Sequence, residues 1–176
     1  MSHVSFTFRE EVRAGDPARV REIAESTGFF SAAEVDIAVE LIEARLAKGP
    51  ASGYHFLFAD DPAGVALGYT CYGEIACTVG SYDLYWIIVH RDCRSRGLGR
   101  QLMARTEELV TGLGGRGLYV ETAGRHQYHP TRSFYLKNGY AVIATLKDFY
   151  SPGDDKVIFH KKLGAAAPVL PNAAPG

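Results

Sequence analysis

The stretch Tyr82-Asp83-Leu84-Tyr85-Trp86-Ile87-Ile88-Val89, continuing into His90-Arg91-Asp92-Cys93-Arg94-Ser95-Arg96-Gly97-Leu98-Gly99-Arg100-Gln101-Leu102, decides how this chain is read. Its first eight residues are the most β-prone in the sequence. A polar loop with two glycines follows. Leu98, Leu102, Leu109, Val110 and Leu113 then mark the apolar positions of a long helix. That helix stops at Gly112-Leu113-Gly114-Gly115, where glycine supplies a left-handed cap. A strand that runs through a glycine-bearing loop into a helix start builds an anion site. The unpaired N–H groups and the helix dipole both favour a group such as a pyrophosphate. Glycine lets the backbone approach a ligand and take turns that other residues resist. Arg94, Arg96 and Arg100 add positive charge at the same place. The physics specifies a phosphate site without specifying which phosphate.

Working outward, Val4 to Arg9 alternates apolar and polar residues, as a half-buried strand does. Asp16-Pro17 offers an N-cap and a first-turn proline for a helix to about Ser26. Ser31 and Glu34 have capping-box spacing, and Val35, Ala38, Val39, Ile42 and Leu46 recur at helical period, predicting a helix from Ser31 to about Ala47. Tyr54–Ala59 and Val65–Tyr72 read as strands flanking the turn Asp60-Asp61-Pro62-Ala63-Gly64. Downstream, Leu118–Glu121 is a short strand and Pro130–Asn138 a short helix. Tyr140–Leu146 and Lys156–Leu163 form a hairpin around Ser151-Pro152-Gly153-Asp154. The order is β-α-α-β-β-β-α-β-α-β-β, with two strand-helix-strand crossovers among antiparallel hairpins. It predicts one α/β or α+β domain, a mixed sheet covered by helices, over residues 1–163. An Ala/Pro-rich tail, 164–176, has nothing obvious to pack against.

Composition closes several doors. The 176 residues suffice for one domain with a real core. A net charge of -1 leaves no basic field to hold nucleic acid by counterion release. No apolar run is long enough to span a bilayer, and MSHVSFTFRE lacks the layout of a signal peptide. Cys71, Cys77 and Cys93 form no CxxC pair and read as reduced, buried thiols of a cytoplasmic protein.

Three phosphate loops compete for the central segment. A P-loop requires GxxxxGK[ST], which is absent. A dinucleotide fingerprint requires a third glycine where Leu102 stands, and too little chain follows for a doubly wound sheet, although Glu121 lies where a ribose-binding acid would. The third pattern, [Q/R]xxGx[G/A], is met by Arg94, Gly97 and Gly99. With Ser133-Phe134-Tyr135-Leu136-Lys137-Asn138-Gly139-Tyr140, similar to an FYxxxGF signature, the sequence resembles the GNAT superfamily of N-acetyltransferases from about Val4 to Leu163.

The resemblance implies a mixed, mostly antiparallel sheet of about seven strands flanked by four helices. It implies acetyl-CoA as cosubstrate and an amine as acceptor. Backbone groups of Ile87, Ile88 and Val89 would line the pantetheine arm, one of their N–H groups facing the oxyanion. Arg94 and the segment Ser95, Arg96, Gly97, Leu98, Gly99 and Arg100 would hold the pyrophosphate. Tyr135 would protonate the departing thiolate.

An alkylammonium is almost wholly charged at neutral pH, so transfer also needs a base. Asp83, eleven positions before Arg94, matches the offset of a catalytic glutamate in the histone-modifying branch of that family, and simple alternation puts it on one strand face with Tyr85. A strand-edge carboxylate in water is the alternative reading. Glu121 is the second candidate base, or else a strand-terminal cap or salt-bridge partner. Between the fifth strand and the next helix, Thr122–His129 lacks the asparagine by which many relatives hold the cofactor. His126 and His129 have the spacing of a metal pair but no evident third ligand, so no metal is expected.

Phe30, Tyr85 and Tyr150, with Phe29, Glu34, Asp36, Glu40, Phe149, Asp154 and Asp155, are the acceptor-side candidates. Aromatic and acidic groups together suit a small cationic amine, with a peptide amine left open. The expected partners are that small-molecule or peptide amine and a second copy of the chain as a possible homodimer, with neither nucleic acid nor membrane. A non-catalytic acyl-CoA-binding module is the competing reading.

Overall fold

A computed structural model describes residues 6–94 and 96–164. The expectations for Val4, Ser5, Ser95 and the tail beyond Gly164 lie outside the described residues. The element order is β1 (Thr7–Arg9), α1 (Asp16–Ser26), α2 (Ala32–Lys48), β2 (His55–Asp60), β3 (Ala66–Glu74), β4 (Ser81–Val89), α3 (Leu98–Gly112), β5 (Gly117–Ala123), α4 (His129–Lys137), β6 (Ala141–Ser151) and β7 (Asp154–Lys162). Short 3-10 turns at Gly49–Ser52, Arg91–Cys93 and His126–Tyr128 are additions that the sequence patterns did not reveal.

The strands form one sheet in the order β1-β2-β3-β4-β5-β7-β6. All neighbours run antiparallel except β4 and β5. The mixed, mostly antiparallel sheet of seven strands flanked by four helices is therefore present. The crossover through α4 skips one place, because β7 inserts between β5 and β6.

Helices cover both faces. On one, Val20 and Ile23 of α1 and Val35, Ala38 and Ile42 of α2 bury Phe56, Phe58, Tyr69, Cys71 and Ile88. On the other, Met103 and Val110 of α3 and Tyr135 of α4 bury Leu84, Leu118, Val120, Val157 and Phe159. Side chains of a strand alternate between faces, so β3 and β4, in the middle of the sheet, contribute to both cores.

Two local readings need correction. Asp16 is not an N-cap: Gly15 holds that position and makes no side-chain cap bond. Asp16 is buried and accepts from both terminal nitrogens of Arg9 at 2.7 Å and from the Arg13 amide at 2.7 Å. Arg9 also donates to Asp60 at 2.6 Å and lies over the Phe58 ring. A shielded guanidinium between two carboxylates outcompetes a single capping bond, and it ties β1 and α1 to the end of β2. Of the three thiols, Cys71 and Cys93 are buried, but Cys77 is exposed in a turn at φ 62°. The capping box of α2 forms as expected, with Ser31 and Glu34 bonding reciprocally.

Candidate active site

The parallel pair β4 and β5 is hydrogen-bonded only from Ser81–Leu84 to Gly117–Val120. Both strands continue, β4 to Val89 and β5 to Ala123, but they no longer pair. On its other edge β4 stays paired with β3 out to Val89. The sheet is thus split between β4 and β5, and the backbone groups of Tyr85–Val89 that point towards β5 have no strand partner.

The split begins at a β-bulge. Cys71 pairs with Trp86 and Tyr72 with Leu84, which leaves Tyr85 as the extra residue. A bulge bends its strand and increases the local twist. It also breaks the alternation, so Asp83, Tyr85 and Trp86 all belong to the α1/α2 side. Trp86 packs at the edge of that core, and the Tyr85 ring lies 5.5 Å from Tyr54 and against Gly73. A β-carbon on Gly73 would stand 3.2 Å from the Tyr85 ring and 2.5 Å from the Gly53 carbonyl, so the position demands glycine.

At the wide end of the split stands the start of α3. Its N-cap, Gly97, is left-handed with φ 77°, a conformation that costs other residues about 1–2 kcal/mol. The first turn bonds Gln101 N–H to Gly97 O at 3.1 Å, leaving the amides of Leu98, Gly99 and Arg100 without intrahelical partners. Arg94, Arg96 and Arg100 are exposed around it. At Gly99 an added β-carbon would meet only Phe134 at 3.5 Å and Val89 at 3.8 Å, an ordinary contact. Neither the backbone nor the surrounding protein requires glycine there. Ile87 and Val89 are half-buried and Ile88 is buried in the α1/α2 core, so their side chains are structural while their backbone lines the split.

The candidate bases differ in their surroundings. Asp83 is half-buried; burial pushes its carboxyl above the ordinary range, the Glu121 charge adds to the shift, and Lys156 opposes it. Glu121, more exposed, is held by Lys156 in an ion pair of 2.5 Å, which matches the salt-bridge reading. Burial first, then the Asp83 charge, raises the Tyr85 hydroxyl to about 12.

Tyr135 lies on the opposite, α3/α4 side. It is buried between Phe134, Tyr140 and Phe159, with ring centroids 5.4–5.8 Å away, and burial raises its hydroxyl above the usual value. Asp83 and Tyr135 therefore stand on different faces of the sheet, and Asp83 lies in the paired part of β4, opposite Tyr119, just before the split.

The α1/α2 side carries a run of part-exposed aromatic rings. Trp86 meets Phe30 at 5.3 Å, Phe30 meets Phe29 at 5.3 Å, and Phe29 meets Tyr128 at 4.6 Å. The Tyr128 hydroxyl donates to Glu34 at 3.4 Å. Across from them, Lys156 lies over Phe149, which stacks edge-on with Tyr150. Arg125 pairs with the buried Asp154 at 2.8 Å. The structure brings Phe30, Tyr85 and the Phe149–Tyr150 pair to this side, whereas Asp36 is engaged by Arg21.

Tyr54, Trp86, Tyr128 and Lys156 are neighbours that sequence reasoning missed. Alternation puts Trp86 on the far face unless the bulge is known, and Lys156 joins Glu121 only because β7 pairs with β5. His126 and His129 stack 6.4 Å apart, and no group of three metal-ligating side chains is gathered among the described residues.

The family model of an acetyltransferase (GNAT) domain matches residues 52–142. A structure from Desulfovibrio desulfuricans, described as a GNAT-family acetyltransferase, is similar with a TM-score of 0.89 and 44% identity, over 91% of this chain and 100% of that one. The ribosomal-protein-S18-alanine N-acetyltransferase of Escherichia coli gives a TM-score of 0.71 at 16% identity, over 95% and 99%. YncA of Salmonella typhimurium, solved with its cofactor acetyl-CoA, gives 0.69 at 20%, over 98% of both chains. At such identities the last two speak for the fold alone. Among proteins of curated function, none matches the sequence.

Proposed function

The chain belongs to the GNAT family of acetyltransferases, and from that premise we propose that it transfers the acetyl group of acetyl-CoA to the amine of a small cationic acceptor. The observation that carries this reading is the split between β4 and β5 beyond Leu84, with the start of α3 beside the free edge of β4 and with Asp83 on one face of the sheet and Tyr135 on the other.

In this reading the amides of Leu98, Gly99 and Arg100, with the exposed arginines 94, 96 and 100, take the pyrophosphate. The bare Cα of Gly99 lets a phosphate approach closely. The pantetheine arm adds to the free edge of β4 as a short strand would, bonding to backbone groups of Ile87–Val89.

The thioester then lies in the split. The acceptor arrives from the α1/α2 side as an ammonium, among part-exposed rings that attract a cation. Asp83 takes one ammonium proton. The freed lone pair attacks the carbonyl carbon, and a β4 backbone N–H steadies the oxyanion. As the C–S bond breaks, Tyr135 gives its proton to the sulfur. The nitrogen gives its second proton to water, the neutral amide and free coenzyme A leave, and solvent carries the proton from Asp83 to Tyr135, so each turnover restores both groups and releases one proton. Asp83 is preferred to Glu121 as base because Lys156 already engages the Glu121 carboxylate.

Six acidic and basic side chains gather on the acceptor side: Asp83, Glu121, Glu34 and Asp154 against Lys156 and Arg125. The excess of carboxylates favours a positively charged acceptor over an anionic one.

The test is release of free thiol from acetyl-CoA across a panel of small diamines, amino acids and peptides. Thiol release that requires a cationic amine is expected. Tight acetyl-CoA binding without turnover on any amine would instead establish a binding module, and absence of acetyl-CoA binding would overturn both.

A further inference from the structure

The acceptor side of the sheet already holds an alkylammonium of the protein's own. Lys156 of β7 is the ladder partner of Ala123, and its side chain reaches over β5 to the Glu121 carboxylate at 2.5 Å. Glu121 belongs to the part of β5 beyond Val120 that no longer pairs with β4, so it stands beside the split. Leu118, Val120 and Val157 face the α3/α4 core, and alternation therefore puts Glu121 and Lys156 on the other face, with Asp83. The Lys156 ammonium also lies 4.6 Å from the centre of the Phe149 ring. A carboxylate and an aromatic face are what a cationic acceptor requires, and Lys156 occupies such a place with only 15% of its side chain exposed. Lys48, Lys137, Lys147 and Lys162 are exposed to bulk solvent, and Lys161 is held by Glu107 on the α3 side.

We propose that Lys156 is an internal acceptor: with acetyl-CoA bound and no amine present, its Nζ takes the acetyl group. This rests on the acetyl-transfer reading above. Glu121, already in contact, takes one proton from the ammonium. The Nζ lone pair attacks the thioester carbonyl carbon, the C–S bond breaks, and the sulfur takes a proton from Tyr135. The nitrogen gives its second proton to water, and solvent carries the Glu121 proton to Tyr135. The products are acetyl-Lys156, free coenzyme A and one released proton. The new amide is neutral, so the ion pair is lost and Glu121 is left uncompensated near Asp83. Lys156 opposes the upward shift of the Asp83 carboxyl, and Glu121 adds to it. An enzyme left with donor but no acceptor thereby raises the lower pH limit of its own activity.

Peptide mass spectrometry of the full chain after incubation with acetyl-CoA alone tests this, with the exposed Lys48 and Lys162 reporting acetylation from bulk solution. Lys156 is expected to gain an acetyl group at least about tenfold faster than either, although it is less accessible, because a bound donor acts at high effective concentration. Excess free coenzyme A should suppress the reaction at Lys156 and leave the other two unchanged. After incubation the kcat/KM profile of the wild type should bend at higher pH. Lys156→Arg keeps a cation beside Glu121 but offers no neutral amine, so it should show neither the modification nor the shift. Lys156 acetylated no faster than Lys48 and Lys162, or at a rate free coenzyme A does not alter, overturns the proposal even where added amines are acetylated. Acetyl-Lys156 formed by a protein that acetylates no added amine would support it and overturn the small-acceptor reading instead.

Discussion

Replacing Asp83 by asparagine keeps the side chain's shape and removes its capacity to accept a proton. A positioned general base contributes about 10²- to 10⁴-fold, which corresponds to roughly 3–5 kcal/mol of barrier. Asp83→Asn is therefore expected to lower kcat by at least about 10²-fold. Acetyl-CoA affinity, measured by calorimetry, should stay within about twofold, because the amides at the start of α3 lie away from the carboxyl.

The pH dependence adds a second readout with a definite sign. Burial, then the Glu121 charge, holds the Asp83 carboxyl above the ordinary aspartate range, and Lys156 pulls it back. The profile of kcat/KM, which reports the free enzyme, should bend downward as pH falls through that raised value. Glu121→Gln removes the repulsive charge and should move the bend to lower pH. Lys156→Met removes the attractive one and should move it to higher pH. In Asp83→Asn the bend disappears, and only the slope due to amine ionisation remains.

Stability should respond in the opposite sense to activity. A carboxyl whose folded pKa is raised opposes folding at neutral pH, and that opposition vanishes below the unfolded value. Asp83→Asn should thus melt no lower than the wild type. A kcat within about threefold of wild type, far below the factor expected of a base, or a bend that survives in Asp83→Asn, would refute the assignment.

Two further outcomes bear on the other face and the helix start. Tyr135→Phe keeps the ring between Phe134, Tyr140 and Phe159, and the hydroxyl makes no hydrogen bond to a described residue, so thermal stability should barely change. Its kcat should drop by about 10²-fold, and equal turnover in a stopped-flow thiol assay would exclude the hydroxyl as the acid. Gly97→Val forces a β-branched residue to φ 77° although nothing stands within 4 Å of the new β-carbon, so the cost is purely conformational, about 1–2 kcal/mol or more. Acetyl-CoA should bind at least about tenfold more weakly, one tenfold step being 1.4 kcal/mol, while Gly97→Asn, which tolerates that conformation, should bind nearly as the wild type does. Equal calorimetric affinity in Gly97→Val would remove the N-cap from the phosphate site.

What could be read from sequence was local. The Ser31/Glu34 box lies within one helical turn, Asp61 closes its own hairpin by accepting from Ala63 and Val65, and the Gly97–Leu102 helix start is contiguous. Asp83 and Tyr85 share a face because two residues suffice to fix that relation. Features set by partners distant in the chain stayed hidden. The insertion of β7 between β5 and β6 delivers Lys156 to Glu121, and nothing near either residue announces it. Asp16 has a perfect capping context and is taken instead by Arg9, a choice that depends on Asp60 arriving from β2. The bulge at Tyr85 is a mismatch in count between two strands, which neither strand contains alone.

In the proposed reading, that bulge is also what lets a sheet, ordinarily a barrier between its faces, serve a transfer across them. Had the β4–β5 register continued beyond Leu84 and Val120, backbone bonds would close the sheet along Tyr85–Val89 as well. Pairing with β3 holds β4 on one edge to Val89, so tightly at Gly68 that an added β-carbon would stand 2.9 Å from the Ile88 carbonyl. With that edge fixed, the extra residue at Tyr85 releases only the other. The backbone groups freed there are then spare donors and acceptors for an extended ligand, and the helix that follows starts beside the same edge, with Gly99 next to Val89. Sheet defect, free strand edge and helix start lie within residues 82–101, the one short segment to which the proposed reading assigns the acyl thioester.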